Sequence, residues 1–170
     1  PKQLTGVGVA LGPGSFTGLR IGLSAAKGLA LGRNIPIAGV PSLEVLVASQ
    51  PGLRRPMIAF LEVGRGRFAW ARFRYKNPRW GQITETQVDD IKTIAVTITS
   101  PVYVVGEMGA AERQIMGRKW KTSRLAPAST CLRRPSVLAE LAWDKLQVGH
   151  ADDPVSLSPI YVHTLSNVPN

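Results

Sequence analysis

One stretch near the start of the chain limits the fold more than any other. Apolar residues from Val7 to Leu11 lead into the turn Gly12-Pro13-Gly14-Ser15, and a helix rich in small residues is predicted from about Thr17 to Leu31. A strand, a glycine-rich turn and a helix in this order are typical of an α/β protein. Within the strand, Gly6 and Gly8 indicate close approach of another segment to the backbone.

Three functions are considered for this turn: a phosphate-binding loop, a nucleophile elbow and a purely architectural turn. The standard motifs of the first two are absent. A P-loop needs G-x-x-x-x-G-K-[ST], which is absent, and Gly12, Gly14 and Gly18 are spaced one residue too widely for the dinucleotide motif. A nucleophile elbow needs G-x-S-x-G, but Gly14 directly precedes Ser15. Backbone N–H groups at a helix N-terminus can still hold an anion, so nucleotide binding stays open. The third function is purely architectural, with Ser15 or Thr17 as the N-cap.

The helix is unusual for its small residues. Gly18, Gly22 and Ala26 recur every four residues on one face, and Gly32 is predicted to end the helix. Each interior glycine costs about 1 kcal/mol relative to alanine, and close approach of another backbone is the natural compensation. We therefore expect this helix to pack on more than one side, against its own sheet and against another helix.

Charge and cysteine content restrict the partners and the compartment. The formal net charge is +10, which favours an anionic partner such as RNA, an acidic protein face or a membrane surface, although a generally basic surface explains it equally well. The single cysteine, Cys131, excludes an internal disulfide and fits a reducing compartment, so a cytoplasmic location is predicted. No apolar run reaches the roughly 18 residues of a membrane span, so no membrane-spanning helix is expected. Of the anionic partners named above, a membrane is not predicted.

The remaining pattern predicts an irregular α/β order. A strand at Ile35–Val40 and a helix capped by Ser42 precede the breaker-rich basic segment Gln50–Pro56. This segment divides the chain into two predicted units, 1–55 and 56–170. The second unit begins with a buried strand from Met57, continues as a hairpin and meander, and ends with an amphipathic helix at Ser136–Val148.

Two further patterns were weighed as functional sites. Alternation places Arg72, Arg74 and Lys76 on one strand face with two aromatic residues, Phe68 and Trp70. This face could stack bases and neutralise RNA phosphates, or the aromatic residues could enter the core while the cations line a solvated end. The two histidines, His150 and His163, and the distant cysteine do not form a metal-ligand set. We therefore predict no catalytic residue, no metal and no cofactor.

Several segments together resemble one known family. The block G-P-G-S-F-T-G-L-R-I-G at 12–22, followed by A-K-G-L-A at 26–30, resembles the signature of the TsaB (YeaZ) family. The segments P-I-A-G-V at 36–40 and S-P-I-Y-V at 158–162 fit the same family. The family-motif turn comprises Gly12, Pro13, Gly14, Ser15, Phe16 and Thr17. Arg67 stands where the family has an acidic residue, and His163 where it has an arginine.

The resemblance implies a fold and a role. The fold would be the actin-like (ASKHA) fold of two lobes, with the N-terminal lobe incomplete because family members begin with a strand, a hairpin and a helix not found here. The role would be that of a non-catalytic partner of TsaD, which makes threonylcarbamoyladenosine in tRNA. Pairing would use a helical bundle that includes the Thr17–Leu31 helix, and a homodimer could use the same helix. The implied partner-binding residues are Gly18, Leu19, Arg20, Gly22, Leu23, Ala26 and Lys27.

Two other functions stay open. One is an actin-like ATPase or a peptidase-type enzyme. The other is a basic RNA-binding module. The resemblance also allows contact with tRNA through the complex with TsaD, and direct contact stays open.

Overall fold

A computed structural model describes residues 4–119 and 121–162 of the chain. Its elements are β1 (Val7–Gly12), α1 (Phe16–Arg33), β2 (Ile37–Pro41), α2 (Ser42–Ala48), β3 (Met57–Gly64), β4 (Arg67–Tyr75), β5 (Trp80–Gln82), β6 (Gln87–Asp90), α3 (Ile91–Val96), β7 (Val102–Gly106), α4 (Ala110–Gly117), β8 (Ser123–Leu125) and α5 (Pro135–Gln147), with a 3₁₀ turn at Ala128–Thr130. In the part of the chain described, none of the helices combines the length and apolar character that crossing a membrane requires.

The strands form two sheets. β1 and β2 pair in parallel, with Val7 opposite Ile37 and Ala10 opposite Val40. The second sheet has the order β5-β4-β3-β7-β8, and β6 pairs with β4 beyond the end of β5. Within it, β3 and β4 are antiparallel, whereas β3, β7 and β8 are parallel. The observed order confirms the predicted α/β class.

β3 lies at the centre of the larger sheet because both of its faces are apolar. The five residues Met57–Leu61 are all 0% exposed. Ile58 and Phe60 point to a core shared with α3 and α4, and Met57 and Leu61 point to a core shared with α2. The alternation of β4 follows the same rule, which is why this hairpin could be placed from its sequence.

Local signals set the ends of α1. Ser15 Oγ accepts a hydrogen bond of 3.3 Å from the backbone N–H of Gly18, which confirms Ser15 as the N-cap. The predicted C-terminal role of Gly32 is wrong, because the helix continues to Arg33 and Asn34 adopts the left-handed conformation with φ 51°. Asparagine tolerates this conformation better than most residues, so it replaces glycine as the terminator.

α2 lies between the two sheets. Leu43, Leu46 and Val47 pack on the larger sheet, while Val45 packs against β2 and α5. The predicted capping role of Ser42 is wrong, since α2 follows Pro41 without a side-chain cap and Ser42 Oγ is buried without a hydrogen-bond partner among the described residues.

α5 returns from the end of the chain to cover the smaller sheet. A Cβ atom added at Gly8 would lie 2.5 Å from Ala142 Cβ, and one at Gly6 would lie 2.6 Å from Leu146 Cδ1. This confirms the close approach predicted from these two glycines. Beyond α5, Asp152 Oδ2 accepts hydrogen bonds from the backbone N–H of Gly39 at 2.7 Å and from Lys145 Nζ at 3.2 Å. The division at residue 55 stays a prediction, with α5 from the second predicted unit packed on the sheet of the first.

Candidate functional site

The two faces of α1 differ sharply. Leu23, Ala26 and Ala30 are at most 9% exposed and pack with Val9 of β1 and Ile37 of β2. The helix therefore uses one stripe, spaced by three and four residues, to cover its own sheet.

The opposite side, named here the outer face of α1, is open. Gly22, Gly28 and Gly32 have so much space that an added Cβ atom would meet nothing within 4 Å. Ile21 on this side is 66% exposed and Leu29 is 38% exposed. The residues of this face are uncharged and comprise Gly18, Ile21, Gly22, Ala25, Gly28, Leu29 and Gly32, and the exposed Arg33 follows them in the last turn of the helix.

Two of the three cations of α1, Arg20 and Lys27, face the chain itself. Arg20 Nε donates a hydrogen bond of 2.9 Å to Tyr161 Oη, and its guanidinium carbon lies 4.0 Å from the centroid of the Phe16 ring. Lys27 Nζ donates to the backbone carbonyl of Val155 at 3.3 Å. Both side chains therefore hold the segment 153–161 on the side of α1, next to the outer face.

The family-motif turn positions α1 and is covered by the same C-terminal segment. Gly12 has φ 104°, a conformation that favours glycine, and a Cβ atom there would lie 2.9 Å from Leu19 Cδ1 and 3.0 Å from the carbonyl oxygen of Ile160. The backbone N–H of Ile160 donates to the carbonyl of Leu11 at 2.7 Å. The architectural function of the turn thus has direct geometric support.

The structure separates the residues expected at a partner. Gly18 and Gly22 lie on the outer face. Leu23 and Ala26 are buried against the chain's own sheet, and their contact with a partner stays a prediction. Leu19 is half-buried against Gly12, and Arg20 and Lys27 contact the C-terminal segment.

Five further outer-face residues were not among the partner-binding residues predicted from the sequence. The signal for them was the 4-3-4 spacing of Leu19, Leu23, Ala26 and Ala30, which marks the inner face and so identifies the opposite one. These five residues are Ile21, Ala25, Gly28, Leu29 and Gly32.

The two aromatic residues predicted on the basic strand face are buried in the core. Phe68 and Trp70 are 3% and 5% exposed, and Trp70 Nε1 donates to Asp89 Oδ2 at 2.9 Å, so neither ring can stack on a base. Arg72 donates to the carbonyl of Thr97 at 2.7 Å, while Arg74 and Lys76 are exposed. RNA contact through these three cations stays a prediction.

The acidic loop near the end of the chain has a structural task. The backbone N–H of Val155, together with the hydroxyl and backbone N–H of Ser156, lowers the pKa of Asp153, which accepts hydrogen bonds from them. His150 is exposed, and His163 lies outside the described residues. In residues 4–119 and 121–162, no group of three His, Cys, Asp or Glu side chains could hold a metal ion.

Comparison with known proteins decides the family. The chain is 31% identical over 166 residues to the tRNA threonylcarbamoyladenosine biosynthesis protein TsaB of Bacillus subtilis, an alignment that covers 95% of this chain and 71% of that protein. The chain belongs to the TsaB (YeaZ) family. A second TsaB protein, from Escherichia coli, is 40% identical over 79 residues, which is 44% of this chain and 34% of that protein. Residues 1–123 of this TsaB-family chain also match the family model for TsaD, tRNA N6-adenosine threonylcarbamoyltransferase.

Solved structures agree on the fold. A protein of Pseudomonas aeruginosa, described as similar to peptidase YeaZ, superposes with a TM-score of 0.73 at 19% identity, over 94% of this chain and 74% of that one. Together with the match to the TsaD model, this confirms the predicted actin-like (ASKHA) fold.

Proposed function

We propose that this chain is a non-catalytic subunit that pairs with a TsaD-type transferase in the biosynthesis of threonylcarbamoyladenosine in tRNA. The names of its relatives supply the pathway. The observation that carries the pairing is the outer face of α1, where three glycines have nothing within 4 Å of an added Cβ atom.

The energetics of these glycines favour a partner outside the chain. Each interior glycine lowers helix stability by about 1 kcal/mol relative to alanine. At Gly6 and Gly8 the chain itself fills the space beside the backbone, but at Gly22, Gly28 and Gly32 it does not. A second helix lying close to the outer face would compensate, because the absence of side chains lets two backbones approach.

The apolar residues of the outer face give the contact its driving force. Ile21, which is 66% exposed, and Leu29, which is 38% exposed, flank the glycines. Complete burial of a fully exposed side chain of this size contributes about 1.5–3 kcal/mol, so Ile21 would gain most of that value and Leu29 a smaller part. An apolar helix of a partner therefore fits this surface better than an acidic one would.

A non-catalytic role is supported by the positions of two candidate nucleophiles. Ser15 Oγ accepts a hydrogen bond as the N-cap of α1. Cys131 is 3% exposed, and its thiol donates a hydrogen bond to the carbonyl of Pro127 at 3.3 Å. Each group thus already has a structural partner.

The decisive experiment replaces one glycine of the outer face. Gly22→Leu meets no obstacle at Cβ, so the isolated variant should keep its fold and gain about 1 kcal/mol of helix stability. Its complex with TsaD, measured by calorimetry and by co-elution, should weaken by at least about tenfold, since a 1.4 kcal/mol loss of contact energy has that effect.

Gly117→Leu in α4 is the matched control. Gly117 is also a helical glycine whose added Cβ atom meets nothing within 4 Å, but it lies away from α1. Its complex with TsaD should match that of the unsubstituted chain. Failure of the unsubstituted chain to bind TsaD, or equal binding by Gly22→Leu, would contradict the proposal.

The same variants address homodimers and the two rival functions. Without TsaD, we expect a homodimer through the outer face, lost in Gly22→Leu and detected by sedimentation. An ATPase would show tight ATP binding with hydrolysis in the isolated chain. A free-standing RNA-binding module would bind tRNA alone, with an affinity that falls steeply with salt.

A further inference from the structure

Much of the positive charge of the chain lies at one edge of the larger sheet. Segments 49–56, 74–79, 97–101 and 117–124, named here the amino edge, lie at the amino ends of β3, β7 and β8 and at the carboxyl end of β4. They hold nine of the 21 basic residues and none of the 11 acidic ones. The other 12 basic residues nearly balance the 11 acidic ones, so the amino edge carries almost the whole net charge of +10. A generally basic surface would spread this charge evenly.

The pairing of the strands brings these segments together. The backbone N–H of Tyr103 donates to the carbonyl of Pro56 at 2.9 Å, and that of Val102 donates to the carbonyl of Thr122 at 2.7 Å. Because β4 runs antiparallel to β3, its end lies beside segment 49–56. Three strand intervals of about 4.8 Å separate β4 from β8, so the amino edge extends over about 14 Å.

Four cations of the amino edge are exposed, and their side chains form no hydrogen bond and no ion pair with the residues that the structure describes. They are Arg54, Arg55, Arg74 and Lys76. Arg79 differs from them, since it pairs with Asp144 of α5 at 2.7 Å. The helices α2, α3 and α4 also end at this edge, but a helix C-terminus carries only about half a negative charge. Most of the positive charge is therefore not neutralised within the described chain.

The opposite edge of the same sheet contains acidic residues. Glu62 lies near the end of β3, Glu107 follows β7, and Asp90 ends β6. The cation Arg133 is paired there with Glu107 at 2.7 Å. Charge separated in this way produces a field that steers an anionic partner to the amino edge.

The amino edge lacks the apolar contacts on which protein interfaces usually depend. None of the large exposed hydrophobic side chains lies in its described residues, which are all but residue 120. The exposed Val96 lies just outside, at the end of α3. Protein interfaces are centred on buried aromatic or apolar residues, whereas interfaces with nucleic acids are polar and strongly basic. The composition of the edge therefore favours a nucleic acid over an acidic protein face.

We propose that the amino edge binds the phosphate backbone of RNA. Its exposed cations take the place of the counterions that otherwise surround the phosphates, which is the main source of affinity in such contacts. Phosphate contacts position a nucleic acid without reading its sequence, so the edge holds RNA without selecting it. The proposal rests on the proposed function only in the choice of tRNA as the RNA, and the contact itself does not require TsaD.

The test measures binding of a labelled, unmodified tRNA to the full chain by fluorescence anisotropy over a range of salt concentrations. We expect a Kd of about 10⁻⁴–10⁻⁶ M, as for other contacts that do not depend on sequence. A second RNA of equal length and unrelated sequence should bind equally well. In Arg54→Gln/Arg55→Gln, loss of two phosphate contacts should weaken binding by about 25- to 60-fold at about 0.1 M salt and reduce the slope of log K against log salt by about 1.4–1.8.

Arg65→Gln/Lys92→Gln is the matched control. It removes the same charge from two exposed residues at the opposite edge of the sheet, beyond the roughly 10 Å over which charges act at this salt concentration. Its binding of tRNA should stay within about twofold of the unsubstituted chain. An equal loss in both double variants would overturn the proposal, because net charge rather than the amino edge would then determine binding.

Two competitors and the pairing assay complete the test. Polyglutamate and vesicles containing phosphatidylserine should bind more weakly than tRNA, and equal binding of either would overturn the choice of RNA. Absence of tRNA binding at low salt would do the same. Tight binding that depends on sequence, with a Kd below about 10⁻⁸ M, would instead indicate a free-standing RNA-binding module. Arg54→Gln/Arg55→Gln should still pair with TsaD, and Gly22→Leu should still bind tRNA, so failure of either proposal is distinguishable from failure of the other.

Discussion

The two sheets are stabilised in different ways. β3 has hydrogen-bonded neighbours on both sides, and five consecutive residues of it are 0% exposed. β1 pairs with β2 alone among the described strands, and of its residues Val9 is the buried hydrophobic one. The larger sheet, called the second region below, is covered by helices close to it in sequence. The smaller sheet with α1, called the first region below, is covered on one side by α1 but depends on α5 and residues 152–160 on the other. The first region therefore relies more on helix contacts that are distant in sequence than the second region does.

The largest expected effect tests the core of the larger sheet. Phe60 is fully buried and packs edge-on against Phe68 with ring centroids 5.5 Å apart. Phe60→Ala should lower the free energy of unfolding by about 3–5 kcal/mol, measured by urea denaturation. Phe16→Ala, at a ring that is 55% exposed in the first region, should cost far less. Equal losses would remove the difference between the regions.

The next effect tests the contact between β1 and α5. Gly8→Ala would place Cβ 2.5 Å from that of Ala142, so α5 must move, and we expect a loss of about 1–3 kcal/mol in unfolding free energy. Gly28→Ala on the outer face of α1 serves as the control, because the same methyl group meets nothing there and should stabilise by about 1 kcal/mol. The comparison fails if both variants shift the thermal midpoint in the same direction.

A smaller effect tests local capping in the second region. Hydrogen bonds from the backbone and hydroxyl of Thr93, and from the backbone of Lys92, lower the pKa of Asp90 at the N-terminus of α3. Asp90→Ala should lower the free energy of unfolding by about 1 kcal/mol near neutral pH. Because the folded pKa is depressed, this difference should be constant above about pH 4, the unfolded value, and vanish as pH falls through the folded value. Urea denaturation across this pH range checks it, and a difference that grows on acidification would contradict it.

The smallest effect tests the contacts by which Arg20 holds the C-terminal segment against α1. Arg20→Ala removes the hydrogen bond to Tyr161 and the contact with the Phe16 ring. At this exposed site we expect the free energy of unfolding to fall by about 0.5–1 kcal/mol. Hydrogen exchange of residues 153–160 should accelerate while that of β3 stays unchanged. An equal acceleration in both segments would show that the effect of the Arg20 contacts is not confined to residues 153–160.

Prediction from sequence succeeded where neighbouring residues decide the structure. The hairpin turn could be predicted from Gly64-Arg65-Gly66, and all three residues have positive φ, at 97°, 54° and 68°. The N-cap of α1 was readable from Ser15 for the same reason.

The sequence predicted only part of the orientation of α1. Small residues surround this helix, so its apolar pattern is weak, and Ala26 could be assigned to either face. Its burial depends on Val9 and Ile37, which are distant in sequence. The cavity between α2, α5 and the β4–β5 hairpin was not foreseen, because Glu44, Trp80 and Glu140 meet only after α5 has returned to the smaller sheet.

The return of α5 also has a consequence for synthesis of the chain. β1 is translated before β3, but the side chains that cover Gly6 and Gly8 belong to Ala142 and Leu146. At about 5–20 residues per second, a ribosome needs roughly 10 s to make the intervening chain. During that interval the larger sheet can assemble while the side of β1 that α5 will cover stays exposed. The nascent first strand is thus the segment on which a chaperone would act longest.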